Sequence, residues 1–360
     1  MRTIKNDTTN VTKILTEQGD PNLILINEIG PTFRAYREAW GRAERLELMQ
    51  DFPLHLDFEI RYGCNLRCPM CVVSLSATER GELEHPQEHL NREQFRKLLE
   101  DGVRRGLRAV SLNGNNEPLL TPNLHEYVRA AKEAGVLDIM FHTNALLLTE
   151  DISAKLLDAG LTRIMFSLDA INKETYDRIR IGSDFGRVMR NINYFLELKR
   201  TRGLRLPLTR VSFVESKVNE DELAEFIAYW KDRVDFLTIQ QFFNFFAGRK
   251  EATTVEKTFR IRRDQTAGKQ AVDPLMVKCP QPYQRLFVRN DGNVFACCSQ
   301  FQEPENLMGN IHESSLHEIW NSERMREFRA RTNASPDEQN AVCRKCRQSL
   351  APMVVPADLA

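Results

Sequence analysis

The chain has 360 residues, enough for one large domain and a smaller companion. Its 50 Lys and Arg balance its 50 Asp and Glu, which argues against a dedicated nucleic-acid binder. No apolar run approaches a membrane span and no signal peptide is recognisable, so the eight cysteines are expected in a reducing cytoplasm, free for metal.

Residues 1–52 read as an N-terminal helical segment, with a charged amphipathic helix over Arg34–Met49 that could cover the open side of a partial barrel downstream. A strand-like run, Leu54–Tyr62, leads into three closely spaced cysteines, Cys64, Cys68 and Cys71. Three thiolates in one short loop can hold three irons of a cubane and leave the fourth open to another ligand. A zinc site is the alternative, because His85 and His89 follow within reach and would complete a Cys3His set.

Further strand-like runs fall at Ala109–Asn113, Asp138–His142, Arg163–Leu168, Thr209–Val214 and Phe236–Gln241. Amphipathic stretches separate them: Arg92–Arg104, Leu124–Ala134, Glu150–Ala159, Met189–Lys199 and Glu220–Trp230. Gly106, Gly135 and Gly160 each follow a helical stretch, where a left-handed cap suits glycine. Alternating βα units imply a parallel sheet, and six strands imply an α/β fold with a partial (β/α)6 barrel of TIM type over 53–243. Loops at the carboxyl ends of such strands carry the site, and the cysteine loop follows the first strand.

The cysteine loop resembles the cluster-binding motif of the radical S-adenosylmethionine superfamily. The resemblance implies that Cys64, Cys68 and Cys71 bind a [4Fe-4S] cluster whose open iron is chelated by S-adenosylmethionine. Reductive cleavage then gives methionine and a 5′-deoxyadenosyl radical that abstracts hydrogen from an unactivated C–H bond. Asn115-Asn116-Glu117-Pro118 stands where relatives carry a Gly-Gly-Glu-Pro turn, with asparagines tolerated because they accept left-handed backbone. Glu117 supplies the negative charge that the cofactor's ammonium wants. Thr143-Asn144-Ala145 is similar to a Thr-Asn-Gly turn, and Ser167 and Asp169 resemble a Ser-x-Asp that approaches the ribose. Arg180 is a candidate partner for the cofactor's carboxylate. His142 reads equally as a site residue or as a structural filler of the barrel mouth.

The remaining five cysteines lie downstream: Cys279, Cys297, Cys298, Cys343 and Cys346. With four residues between Gly292 and Cys297, the set is similar to the start of a SPASM extension. Nothing resembling its last cysteines follows Cys346, so the shorter twitch version with one auxiliary [4Fe-4S] cluster is implied, over 279–350. Four cysteines complete a cluster, and the glycine spacing selects Cys297, leaving Cys298 as a spare thiol. Zinc held by the same four thiolates is the alternative.

The linker, 244–278, includes a run from Arg249 to Gln270 with seven basic and three acidic residues. Such a run is usually a solvated face, or it meets a phosphorylated or nucleotide-linked substrate. The resemblance implies a small-molecule substrate and a reductant such as flavodoxin or ferredoxin. Oxidation of a carbohydrate- or cyclitol-like alcohol leads the functional readings. Epimerisation with Cys298 as hydrogen donor, peptide maturation and a non-enzymatic metal-stapled binding module compete with it.

Overall fold

The computed structural model describes residues 2–5, 12–75, 89–244, 246, 251–259, 278–297 and 302–349. An antiparallel pair comes first, β1 (Arg2–Lys5) and β2 (Thr12–Thr16), followed by helices α1 (Pro21–Ile29) and α2 (Pro31–Glu44). Six strands then alternate with helices. They run β3 (His55–Phe58), α3 (Arg92–Arg105), β4 (Ala109–Ser111), α4 (Leu124–Glu133), β5 (Asp138–Thr143), α5 (Glu150–Asp158) and β6 (Arg163–Ser167). After α6 (Lys173–Ile179) and α7 (Phe185–Thr201) come β7 (Leu208–Glu215), α8 (Leu223–Trp230) and β8 (Phe236–Gln241). The carboxyl-terminal part holds α9 (Ala252–Phe259), α10 (Gln281–Gln284), β9 (Arg285–Val288), β10 (Asn293–Phe295) and β11 (Leu307–Asn310). Three helices close it: α11 (Leu316–Trp320), α12 (Glu323–Thr332) and α13 (Ala341–Ser349).

Strands β3 to β8 pair in parallel in chain order, as the βα rhythm requires. The barrel does not close. Its β8 edge takes β2 antiparallel, and its β3 edge takes β9 parallel, with His55 opposite Arg285 and Phe58 opposite Val288. The carboxyl-terminal part therefore shares one sheet with the barrel. The amino-terminal part, expected to be helical only, also supplies a sheet edge.

Local signals set the helix ends. Asn91 caps α3 by accepting the Glu93 backbone N–H at 2.8 Å, and Gly106 ends it in the left-handed region. Gly135 and Gly160 also take positive φ, in line with their places after helical stretches. The amphipathic helix near Arg34 does not cover the open side of the barrel. Phe33, Tyr36, Trp40 and Ala43 on α2 pack with Leu54, Ala109, Leu208 and Phe236, residues at or just before the amino ends of the strands. α2 thus closes the bottom, because that is where its apolar stripe finds apolar partners.

The two faces of the barrel sheet differ. Leu56, Phe58, Val110, Phe141, Ile164, Phe166, Val211 and Phe213 face the helices and are buried against Phe95, Val128, Leu156 and Phe195. The alternate residues point inward and are mostly polar: His55, Asp57, Ser111, His142, Arg163 and Arg210 line one interior cavity together with Met140. Small barrels normally fill this space with branched aliphatics. Among the described residues, no helix is long and apolar enough to cross a membrane.

Candidate active site

The cysteine loop leaves β3 through Gly63, whose φ of 103° turns the chain. Gly63 also accepts the Glu117 N–H at 2.8 Å, tying the loop to the turn after β4. Arg67 donates through its side chain to the Cys64 and Leu66 carbonyls, and its backbone N–H reaches Ile181 O at 2.9 Å. Cys64, Cys68 and Cys71 line an upper cavity of about 490 Å3 at the carboxyl ends of the strands. Asn116, Glu117, Asn144, Ser167 and Arg180 share that cavity, so five of the expected side chains meet the thiols there.

Burial pushes the Cys71 thiol up to about 11 and raises those of Cys64 and Cys68. N–H groups face two of the sulfurs. Leu66 N lies 3.4 Å and Asn144 Nδ2 3.9 Å from Cys64 Sγ, and Arg180 Nη1 lies 3.9 Å from Cys68 Sγ. Largely buried soft thiols, two of them faced by N–H donors, suit a thiolate-ligated iron–sulfur cluster. Among the described residues, no three Cys, His, Asp or Glu side chains form a group able to hold one metal ion. A cubane tolerates that spread, since each thiolate takes its own iron. His89 faces a different surface, beside Asn91 and Arg92, while His85 lies outside the described residues.

Glu117 is 3% exposed, and its carboxylate is heavily committed. Oε1 accepts from Thr143 Oγ1 at 2.6 Å and Leu119 N at 3.1 Å, and Oε2 accepts from Asn144 N at 2.8 Å. Burial raises its pKa even though these donors pull the other way. Glu117 therefore joins two site turns at the wall of the cavity.

The asparagines before it do not work through left-handed backbone, since neither Asn115 nor Asn116 takes positive φ. Asn116 Oδ1 instead accepts the Gly114 N–H at 2.8 Å, closing a turn with its side chain. Asn115 does not face the upper cavity. It lines the interior chamber and donates its N–H to Glu59 Oε2 at 2.6 Å. Ala145, after β5, takes φ 58°, at the position where the resemblance to a Thr-Asn-Gly turn sets a glycine.

Asp169 is set behind the wall. Its φ is 65°, Oδ1 accepts the Val214 N–H at 2.8 Å, and Oδ2 is paired with Arg180, so it positions that arginine. The inner chamber of about 440 Å3 was not anticipated. Asn113, Gly114 and His142 line both it and the upper cavity. Asn113 spans the two strand ends, accepting His142 N at 2.6 Å and donating to His142 O at 3.0 Å. A polar residue at every second position of His55-Leu56-Asp57-Phe58-Glu59-Ile60 was the available signal. Buried parallel strands are otherwise near-continuous apolar runs.

Downstream, Asn333 accepts from the Cys279 N–H at 2.8 Å and from Arg347 Nη2 at 2.9 Å, joining the Cys279 segment to α13. Glu305 caps α13 through the Ala341 and Val342 N–H groups. Cys343 and Cys346 are three residues apart on that helix, hence on one face. Gly292 takes φ 84°, and a Cβ there would lie 2.7 Å from the His312 ring, so the glycine of the expected signature is required by space. None of the seven described cysteines is in a disulfide. Cys298 and the arginines of the linker run, Arg260, Arg262 and Arg263, lie outside the described residues.

The sequence matches the models of the Radical SAM superfamily over residues 58–229 and of an iron–sulfur cluster-binding domain, SPASM, over 279–347. A probable GTP 3',8-cyclase of Methanococcus maripaludis is 30% identical across 50% of this chain and 55% of its own length. The chain thus spans about half of the cyclases it matches. An AdoMet-dependent heme synthase of Methanosarcina barkeri is 28% identical across 83% of this chain and 89% of its own length. Two solved structures share the fold at low identity. BtrN in complex with AdoMet and 2-DOIA covers 86% of this chain and 99% of its own at TM-score 0.51 and 17% identity. Streptococcus suis SuiB covers 83% and 72% at TM-score 0.59 and 14% identity. The chain belongs to the radical SAM superfamily with a carboxyl-terminal SPASM domain, whose cofactors are S-adenosylmethionine and [4Fe-4S] clusters.

Proposed function

We propose that this protein abstracts hydrogen from a small, polar, hydroxylated substrate held in the barrel interior and completes its oxidation. The observation that carries the reading is the contact between the two cavities. Asn113, Gly114 and His142 form their common wall, so a molecule in the chamber lies next to whatever occupies the upper cavity. The chamber's volume suits a sugar- or cyclitol-sized molecule, and its polar wall offers hydrogen bonds to hydroxyls.

Cys64, Cys68 and Cys71 hold the catalytic cluster, and Cys279, Cys297, Cys343 and Cys346 hold one auxiliary cluster. When bound, S-adenosylmethionine and the clusters supply a 5′-deoxyadenosyl radical and an acceptor for the second electron. Asn116, Glu117 and Asn144 face the cofactor's amino-acid end. Arg180, fixed by Asp169, offers its buried Nε–H, which has no partner among the described residues, to a carboxylate. Burial and the neighbouring Arg210 push the His142 ring down to about 3, so it acts as a neutral hydrogen-bonding group, and the hydroxyl proton released with the second electron passes to solvent water.

A flavodoxin or ferredoxin serves as reductant in this reading. The test is turnover of the reconstituted, reduced enzyme with a panel of sugars and aminocyclitols. One equivalent of 5′-deoxyadenosine with a product two mass units lighter supports oxidation. A product of unchanged mass in ordinary water that gains one mass unit in deuterated water replaces oxidation with epimerisation.

A further inference from the structure

We infer that the inner chamber selects a substrate bearing a carboxylate or phosphate, and that Arg210 is the residue that grips this group. The inference rests on the reading of the chamber as the substrate site.

Four arginines line the chamber: Arg37, Arg163, Arg210 and Arg285, against a single aspartate, Asp57. Arg163 is neutralised by Asp138, with Nε at 2.9 Å and Nη2 at 2.8 Å from its carboxylate. Arg285 lies 3.3 Å from Asp57, which also meets His55 Nε2 at 3.2 Å. Arg37 stands over the rings of Tyr36 and Trp40, at 5.4 and 5.3 Å from their centroids.

Arg210 differs. Among the described residues no carboxylate pairs with it. Its Nη2 lies 3.4 Å from His142 Nε2, and its buried Nε has no hydrogen-bond partner. The His142 ring stays neutral and cannot balance the charge. A half-buried guanidinium with its Nε wholly shut from solvent and no carboxylate beside it is left under-compensated, and an anion in the chamber would complete it. Burial, then the charge of Arg163, pull the Arg210 pKa down to about 10, which still leaves it charged near neutral pH.

Position agrees with chemistry. His142, Met165 and Arg210 are register partners on β5, β6 and β7, so they share one layer of the inward face. An oxyanion on the planar fork of Arg210 leaves the rest of the molecule free to extend toward Asn113 and Gly114. That direction leads to the upper cavity, where the hydrogen is taken.

The experiment is calorimetric titration of the reconstituted enzyme, loaded with S-adenosylmethionine, with inorganic phosphate and separately with acetate. Saturable binding of at least one is expected. Arg210→Gln should weaken it by roughly 10- to 150-fold, the span of a lost charge-assisted hydrogen bond. Arg210→Lys should retain part of it, because the charge remains and the fork does not. Preference for phosphate assigns a phosphorylated substrate, and preference for acetate a carboxylate. Cluster absorbance and 5′-deoxyadenosine formation are recorded on the same samples. If the glutamine variant fails to assemble, the lysine variant carries the comparison alone. Equal affinity in wild type and variant, or no saturable binding by the wild type, overturns the inference. Cleavage of S-adenosylmethionine without Arg210-dependent binding overturns it and leaves the radical reading standing. Arg210-dependent binding without cleavage does the reverse.

Discussion

The Glu117 carboxylate accepts the Asn144 backbone N–H at 2.8 Å, so the turn after β4 holds the turn after β5 in place. Two loops that both face the cysteines are thereby set by one side chain. A residue expected to touch the cofactor also builds the pocket around it.

Glu117→Ala should therefore lower both S-adenosylmethionine affinity and thermal stability. Each charge-assisted hydrogen bond lost is worth about 1.5–3 kcal/mol. Glu117→Gln keeps one acceptor oxygen and should lose less of each. Equilibrium dialysis of the cofactor and a melting curve separate the two effects. A fall in melting temperature with unchanged cofactor affinity would confine Glu117 to its role as a tie between turns.

Gly114 sits where both cavities meet, and a Cβ on it would lie 2.5 Å from Glu59 Oε2 and 2.8 Å from Phe287 Cζ. Glu59 cannot simply swing away, because its Oε2 accepts the Asn115 N–H. Gly114→Ala is expected to cost about 1–3 kcal/mol by overpacking. It should also reduce cofactor affinity by shifting Asn116 and Glu117. A variant as stable as the parent in denaturant would contradict the packing described at this turn.

Much of the site was legible because chain order and strand order coincide. Once Leu54–Tyr62 is a strand, a parallel βα repeat delivers each following turn to the same end of the sheet, so Cys64, Glu117, Asn144 and Ser167 had to converge. The interior chamber was legible only in part. Its wall is spread over alternate residues of several strands, so no single run spells it out. Arg210 lies between Thr209 and Val211, and nothing local says that its charge faces the barrel interior. The reason for Asn116 was also hidden, since a side-chain-to-backbone bond and a left-handed residue give the same composition in a turn. Strands β2 and β9 join the barrel edges through pairings between segments more than two hundred residues apart, which no local pattern encodes.

Ala145 offers a contrast that isolates backbone strain. It is fully buried with φ 58°, a conformation that costs an L-residue about 1–2 kcal/mol. Ala145→Gly relieves this, while losing a methyl worth about 0.8 kcal/mol and adding unfolded-state entropy worth about 0.5–1 kcal/mol. The two sides nearly cancel, so the variant should be close to neutral. Ala131→Gly, at an equally buried position within α4, has no strain to release and should lose about 1.5–2 kcal/mol. Urea denaturation of the pair decides the matter. Equal losses would mean that the left-handed backbone at Ala145 carries no penalty.

The two cysteine sets are held by separate parts of the fold, and they should load separately. The first loop is fastened to Ile181 and to the turn at Glu117, whereas α13 is fastened by Asn333 and Glu305. No hydrogen bond between these four anchors links one set to the other. Replacing Cys64, Cys68 or Cys71 by alanine should therefore abolish 5′-deoxyadenosine formation and remove about half of the bound iron. Replacing Cys343 or Cys346 should remove a similar share, because two [4Fe-4S] clusters contain equal iron. These variants should still cleave S-adenosylmethionine, with product formation lost where the second electron needs an acceptor. Iron and acid-labile sulfide analysis, run beside product assays, gives the reading. If alanine at Cys346 left the iron content untouched, the downstream cysteines would not hold a cluster of their own. If it stripped both clusters together, the separation of the two anchoring systems would be wrong.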